Sequence, residues 1–241
     1  MKFGLKREKR SGRGGSGLVS AVIVAAGSSS RMGGMDKLSA SLAGSTVIAH
    51  TIRAFQASED VGEIVLVLRK GAEKPALAGA SGCDKLSRIV HGGDTRTDSS
   101  YAGVMACDPK AEIILIHDGA RPLVTGEVIK NAVEGARKYG AAVPVTPVTD
   151  TVKVGKDGFA DSTPDRSTLF AAQTPQAFRA ELIKAALQDA VDNKLTLTDD
   201  CAAVERLGMH VKLVDGDVRN RKITMPSDLA VAEELYKEIH S

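Results

Sequence analysis

Short apolar, β-branched runs alternate along this chain with segments whose apolar residues recur at helical spacing. Leu18 to Ala26 (LVSAVIVAA) is the first such run, apolar on nearly every residue as a strand buried on both faces is. Others fall at Glu63 to Leu68, Arg88 to Val90, Glu112 to Ile116, Ala141 to Val145 and Val211 to Val214. Between them the spacing predicts helices. The clearest runs from Thr46 to Ala57, with Val47, Ile48, Thr51, Ile52 and Phe55 on one face. Further helices are expected over residues 95–106, 126–138, 178–191, 199–207 and 226–238. Such alternation predicts an α/β fold whose mostly parallel sheet is covered by helices on both faces. Residues 147–172 break the pattern: they are polar, with two short β-prone pieces around Lys156-Asp157-Gly158. We expect them to form a β-hairpin arm inserted in the domain and projecting from it.

Composition narrows the function classes. With 241 residues, 43% apolar and 26% charged, the chain can bury a sizeable core. Its longest apolar run, Ala21 to Ala26, is far short of the roughly 20 residues of a membrane-spanning helix, so no membrane partner is expected. Cys83, Cys107 and Cys201 are an odd number without a C-x-x-C pair, which disfavours a disulfide framework or a cysteine zinc site and suits a reducing cytoplasm. Aromatics are only 3% and Trp is absent, so a base-stacking surface for nucleic acid has little to be built from. The net charge of +2 hides an asymmetry: residues 1–20 hold six bases against Glu8 alone, leaving the remainder mildly acidic. Residues 1–17 are expected as a disordered basic, Gly-rich tail and residues 18–241 as a single domain.

In an open parallel sheet, ligands bind at the carboxyl ends of the strands, so the residues that follow each strand carry the chemistry. The first strand leads into Ala25-Ala26-Gly27-Ser28-Ser29-Ser30-Arg31-Met32-Gly33, with Lys37 four residues on. Small residues let backbone N–H groups approach an anion, and Arg31 and Lys37 supply charge for phosphates. The G-K-[ST] ending of a Walker loop and the G-x-G-x-x-G of a dinucleotide site are both missing, which disfavours an NAD-dependent oxidoreductase. After the third strand, Gly92 and Gly93 suit a close backbone approach, while Asp94 or Ser99 is suited to cap the next helix. The fourth ends in His117-Asp118-Gly119-Ala120-Arg121-Pro122. A carboxylate there binds a cation or a ligand, or pairs with Arg121.

Together, AAGSSSRMG with Lys37, HGGDTRTDS, HDGARP, PVTDTVK, AAQTPQ, TDD and NRKIT-x-P-x-DL resemble the 2-C-methyl-D-erythritol 4-phosphate cytidylyltransferase family over about residues 19–238. HDGARP, PVTDT and QTPQ are the narrower motifs; the first is shared by many nucleotidyltransferases. Where the family usually has Pro-Lys-Gln, this chain has Asp36-Lys37-Leu38. The resemblance implies a Rossmann-like three-layer sandwich of the nucleotide-diphospho-sugar transferase type. It implies that Ala25, Ala26, Gly27, Arg31 and Lys37 hold the CTP triphosphate and that Gly93, Asp94 and Ser99 meet the nucleoside. It places Asp118 by the α-phosphate as a Mg²⁺ ligand, and Arg121, Thr151, Arg166, Thr174 and Thr198 around methylerythritol phosphate. Arg31, Lys37 and Lys222 are the expected catalytic cations. It also implies a homodimer in which the arm brings Thr151 and Arg166 to the partner's site. Thr198 also reads as a helix N-cap and Lys222 as a solvated lysine. The rival functions are a cytidylyltransferase for another polyol phosphate such as ribitol 5-phosphate, a more distant molybdenum-cofactor or sugar-nucleotide transferase, and a non-catalytic nucleotide-binding protein.

Overall fold

The computed structural model describes residues 17–27, 36–73, 76 and 80–240. The tail through residue 16 and the loop of residues 28–35, with Arg31, lie outside the described residues. Strand β1 (Leu18–Ala25) runs parallel to β4 (Glu63–Leu68) on one side and to β6 (Ala111–Asp118) on the other. Every residue of β4 is buried, which explains its unbroken apolar sequence. β5 (Leu86–His91) closes that end of the sheet, parallel to β4. Two small strands, β2 (Ser41–Leu42) and β3 (Ser45–Thr46), form a separate hairpin.

Beyond β6 the sheet departs from the expected pattern. β11 (Gln176–Arg179) inserts between β6 and β7 (Ala141–Pro147), antiparallel to both. β10 (Phe170–Ala172) pairs antiparallel with β7, and β12 (Lys212–Asp215) pairs parallel with it. The end of the expected arm thus belongs to the main sheet, and the helix expected from residue 178 starts two residues later.

Alternation along β1 divides the core. Val19, Ala21 and Ile23 face α1 (Val47–Ala57) and a helix later in the chain, whereas Val22 faces the opposite helical layer. That opposite layer holds α2 (Arg96–Met105), and the later helix is α3 (Gly126–Tyr139). α4 (Ala180–Asp192) and the short α5 (Cys201–Arg206) complete the layer of α2. The last helix, α6 (Ser227–His240), covers the β2–β3 hairpin through Leu42, Leu123, Ile223 and Ala232. Asp228 of α6 accepts hydrogen bonds from the backbone of Thr224 and Met225, which anchors the segment carrying Lys222.

The arm itself is a hairpin of β8 (Val154–Lys156) and β9 (Phe159–Ser162). Its two-residue turn is Asp157-Gly158, both at positive φ (50° and 85°), which is the chemistry a tight type I′-like connection requires.

Candidate active site

A cleft of about 370 Å³ opens at the carboxyl ends of β1, β5 and β6. Its floor is Ala25, Ala26 and Gly27, which continue β1, and Gly119 after β6. Lys37 stands on the same side, half-buried in the turn after the undescribed loop. Gly93, Asp94 and Ser99 form the opposite wall. The glycines there answer to sterics: a Cβ on Gly92 would lie 2.5 Å from Ala26 Cβ, and one on Gly93 would lie 2.4 Å from Asp98 Cβ. The loop after β5 therefore presses against both the β1 loop and the start of α2. The cap of α2 is neither Asp94 nor Ser99. Thr95 and Asp98 form a reciprocal capping box, and Ser99 donates its hydroxyl to the Thr95 carbonyl at 3.0 Å.

Asp118 is the electrostatic centre. Its Oδ2 lies 3.0 Å from Lys222 Nζ and 3.4 Å from Arg121 Nε, and its Oδ1 lies 3.9 Å from Arg96 Nη2. Burial opposes ionisation, but Lys222, then Arg96 and Arg121, outweigh it and hold the carboxyl well below the usual carboxylate range. The Asp118–Arg121 pair suggested by the sequence is present alongside the others. Arg96, which the sequence reading does not single out, also pairs with Asp200 at 2.7 Å. Burial works against its charge as well, and Asp200 and Asp118 together raise its pKa. The signal was its place in HGGDTRTDS, at the first turn of a helix beginning at the cleft. Arg96, Arg121 and Lys222 thus surround Asp118, and Lys37 adds a fourth cation to a cleft whose wall also carries Asp94, so fixed cations stand ready for the phosphates of a polyanion.

The remaining expected residues are spread out. Thr174 is buried beneath the cleft, where its hydroxyl accepts the Asp118 N–H at 3.1 Å and reaches His117 Nδ1 at 3.1 Å. Arg121 also donates to the Asn220 carbonyl at 2.7 Å, tying the β6 loop to the segment of Lys222. Asn220, fully buried, donates to the Thr174 carbonyl at 2.9 Å. Thr198 is exposed ahead of α5, and it does not cap that helix: the Asp199 carboxylate accepts the Ala202 N–H instead. Thr151 and Arg166 stand exposed on the arm and do not line this cleft; Arg166 donates to the Thr149 carbonyl at 2.9 Å.

The geometry agrees with the comparisons. The family model of 2-C-methyl-D-erythritol 4-phosphate cytidylyltransferase (IspD) matches residues 19–238. A relative of that name from Caldanaerobacter subterraneus subsp. tengcongensis is 46% identical, the alignment covering 91% of this chain and 99% of the relative. One from Pelotomaculum thermopropionicum is 45% identical, covering 91% and 94%. Among solved structures, the 4-diphosphocytidyl-2C-methyl-D-erythritol synthase of Anaerococcus prevotii superposes with a TM-score of 0.83 at 33% identity, over 91% of this chain and 98% of that one. The 2-C-methyl-D-erythritol 4-phosphate cytidylyltransferase of Thermus thermophilus gives 0.76 at 33% identity, over 90% and 98%. With the match running from β1 into α6 and taking in every wall of the cleft, the chain belongs to the 2-C-methyl-D-erythritol 4-phosphate cytidylyltransferase family.

Proposed function

We propose how this cleft performs the family's reaction. The chain transfers CMP from CTP to 2-C-methyl-D-erythritol 4-phosphate, giving 4-diphosphocytidyl-2-C-methyl-D-erythritol and pyrophosphate. The observation that carries the site assignment is the convergence on Asp118 of Arg96, Arg121 and Lys222, drawn from three separate segments. CTP enters with its triphosphate over Ala25, Ala26 and Gly27, beside Arg31 and Lys37, and its nucleoside against Gly93, Asp94 and Ser99. The acceptor approaches from the Arg121 and Lys222 side and meets the exposed Thr198 ahead of α5, with Thr174 supporting Asp118 from below.

The acceptor phosphate attacks the α-phosphorus in line, the new P–O bond forming as the bond to pyrophosphate breaks. A phosphate monoester has a second pKa near 6, so near neutral pH it is largely dianionic and no general base is required. Catalysis is then positioning and charge stabilisation. Lys37 and Arg31 neutralise the departing pyrophosphate, and Lys222 steadies the charge around the α-phosphorus. Asp118 also fits a Mg²⁺ ligand, since Mg²⁺ characteristically takes one or two carboxylates with substrate phosphates, and among the described residues no cation lies closer than 3.9 Å to Oδ1. When bound, Mg²⁺ supplies further neutralisation of the phosphate oxygens.

The arm supports a homodimer. Phe159 is 79% exposed at its tip, with Val152 and Val154 exposed along it, and Thr151 and Arg166 need a partner's cleft to act on. The free thiols Cys83, Cys107 and Cys201 suit a reducing cytoplasm. Residues 18–241 form the catalytic domain, with the basic tail outside it.

Pyrophosphate release tests the assignment, using CTP, Mg²⁺ and methylerythritol 4-phosphate, with ribitol 5-phosphate and the other nucleoside triphosphates in parallel. Release with CTP and methylerythritol phosphate alone is expected. Release with ribitol phosphate instead overturns the acceptor pocket and keeps the CTP site. No release with any pair overturns the catalytic reading. Omitting Mg²⁺ abolishes release if Asp118 holds the metal.

A further inference from the structure

Gln176 is an unusual residue for its position. It lies on β11 inside the sheet, 1% exposed, followed by the apolar Ala177 and Phe178. A buried amide is costly unless its hydrogen bonds are made. Its Oε1 accepts the backbone N–H of Asp200 at 2.9 Å and of Cys201 at 3.1 Å, and its Nε2 donates to Asp199 Oδ2 at 2.7 Å. One side chain thus fixes the whole turn before α5. Asp200, in that turn and 1% exposed, makes no cap bond to the helix; its carboxylate instead holds Arg96 Nη2 at 2.7 Å. The same Nη2 lies 3.9 Å from Asp118 Oδ1. Gln176 is also in register with Ile116 of β6, two residues before Asp118. Arg96 and Asp118 are therefore both referenced to one pair of strands, the first through Gln176 and Asp200, the second directly.

We propose that Gln176 is a positioning residue that, through Asp200, fixes the Arg96 guanidinium at the set distance from Asp118 at which it meets bound CTP. The proposal rests on the reading of this cleft as the CTP site. Without the Gln176 amide, the turn loosens, Asp200 shifts, and Arg96 is free to close on Asp118 and withdraw from the nucleotide.

The test is a double-mutant cycle read as CTP affinity by calorimetry, with Mg²⁺ and without acceptor. Arg96→Ala weakens CTP binding about tenfold or more, as loss of a charged hydrogen-bonding partner does. Gln176→Met, similar in volume and unchanged in charge, weakens it about fivefold in the parent and leaves it within about twofold in the Arg96→Ala background, because coupled residues are not additive. Should Gln176→Met fail to fold, Thr97→Val carries the same cycle. The Thr97 hydroxyl accepts the Leu197 N–H at 3.3 Å and holds the same turn from the α2 side. Parent-like CTP binding by these variants overturns the proposal, as does an equal loss in both backgrounds, which marks general loosening. If Arg96→Ala itself binds CTP normally, the CTP-site reading falls and the proposal falls with it.

Discussion

His117 has no solvent exposure and its two ring nitrogens both sit in hydrogen bonds. Nε2 meets the Arg121 carbonyl at 3.2 Å, an acceptor, so Nε2 carries the proton. Nδ1 then accepts from the Thr174 hydroxyl, which in turn accepts the Asp118 N–H. Every partner in this chain suits a neutral ring. Burial, against the pull of Asp118, brings the imidazole pKa down to about 4. In the unfolded chain it is about 6.5. Between those values the unfolded state takes up a proton that the folded state refuses, so stability falls as pH drops through that window, by about 3 kcal/mol in all. Urea titrations at pH 7 and pH 4.5 check this: the parent should lose stability between them, and His117→Gln should lose markedly less. Asp118 acts lower on the same acid side: its contribution is full above the ordinary carboxylate pKa and is lost progressively as pH falls from there towards its own depressed value. The same residue scale governs turnover. Lys37→Ala and Lys222→Ala should each lower kcat by ~10²-fold, the scale of losing one transition-state donor. A fall of less than about threefold in kcat/KM would mark either one as an ordinary surface lysine.

Among the elements, α2 shows how closely packing places the Arg96 wall. Gly103 lies against β1 and β4, where a Cβ would stand 2.3 Å from Val22 Cγ1 and 2.6 Å from Val67 Cγ2. Gly103→Ala should therefore destabilise the fold by about 1–2 kcal/mol despite the better helix propensity of alanine, since overpacking outweighs it. Gly126→Ala, at the open start of α3 with nothing within 4 Å of its Cβ, should be neutral or gain about 0.5 kcal/mol. Thermal melts of the two variants should move in opposite directions or at least separate clearly. The parallel strands, their helices and the hairpin turn at Asp157-Gly158 were legible because burial on both faces, helical period and turn chemistry each write a local pattern. β11 was not: four residues containing a buried Gln leave no period to read, and their burial comes from β6 and β7, far away in sequence. The site shows the same division. Loops following strands pointed to Ala25, Lys37, Gly93 and Asp118, while the family's motifs were needed for Lys222. Arg96 was missed because the sequence does not show that Asp200, more than a hundred residues on, turns back onto it.

The whole molecule decides where Thr151 and Arg166 act. Both stand on an arm whose β8–β9 hairpin, among the described residues, pairs only with itself, and neither is among the described residues lining the cleft of its own chain. The arm exposes Phe159 and Val154, and in the proposed two-fold dimer each arm would reach the other chain's cleft. Subunit complementation separates this arrangement from action within one chain. Arg166→Ala damages the arm and Lys37→Ala damages the cleft, so each homodimer of a single variant has two impaired sites. In a heterodimer of the two, action in trans gathers both lesions into one site and leaves the other with an intact arm and an intact cleft. Equal mixing and random exchange make half the dimers mixed, each with one restored site. Activity should then rise to about a quarter of the parent's per chain, well above either variant alone. Action in cis gives no such recovery, because every cleft would keep the lesion of its own chain. The exchange needs a dimer that opens and re-forms, so co-expression with two distinguishable tags and purification through both isolates the heterodimer directly. In that preparation activity should approach half of the parent's.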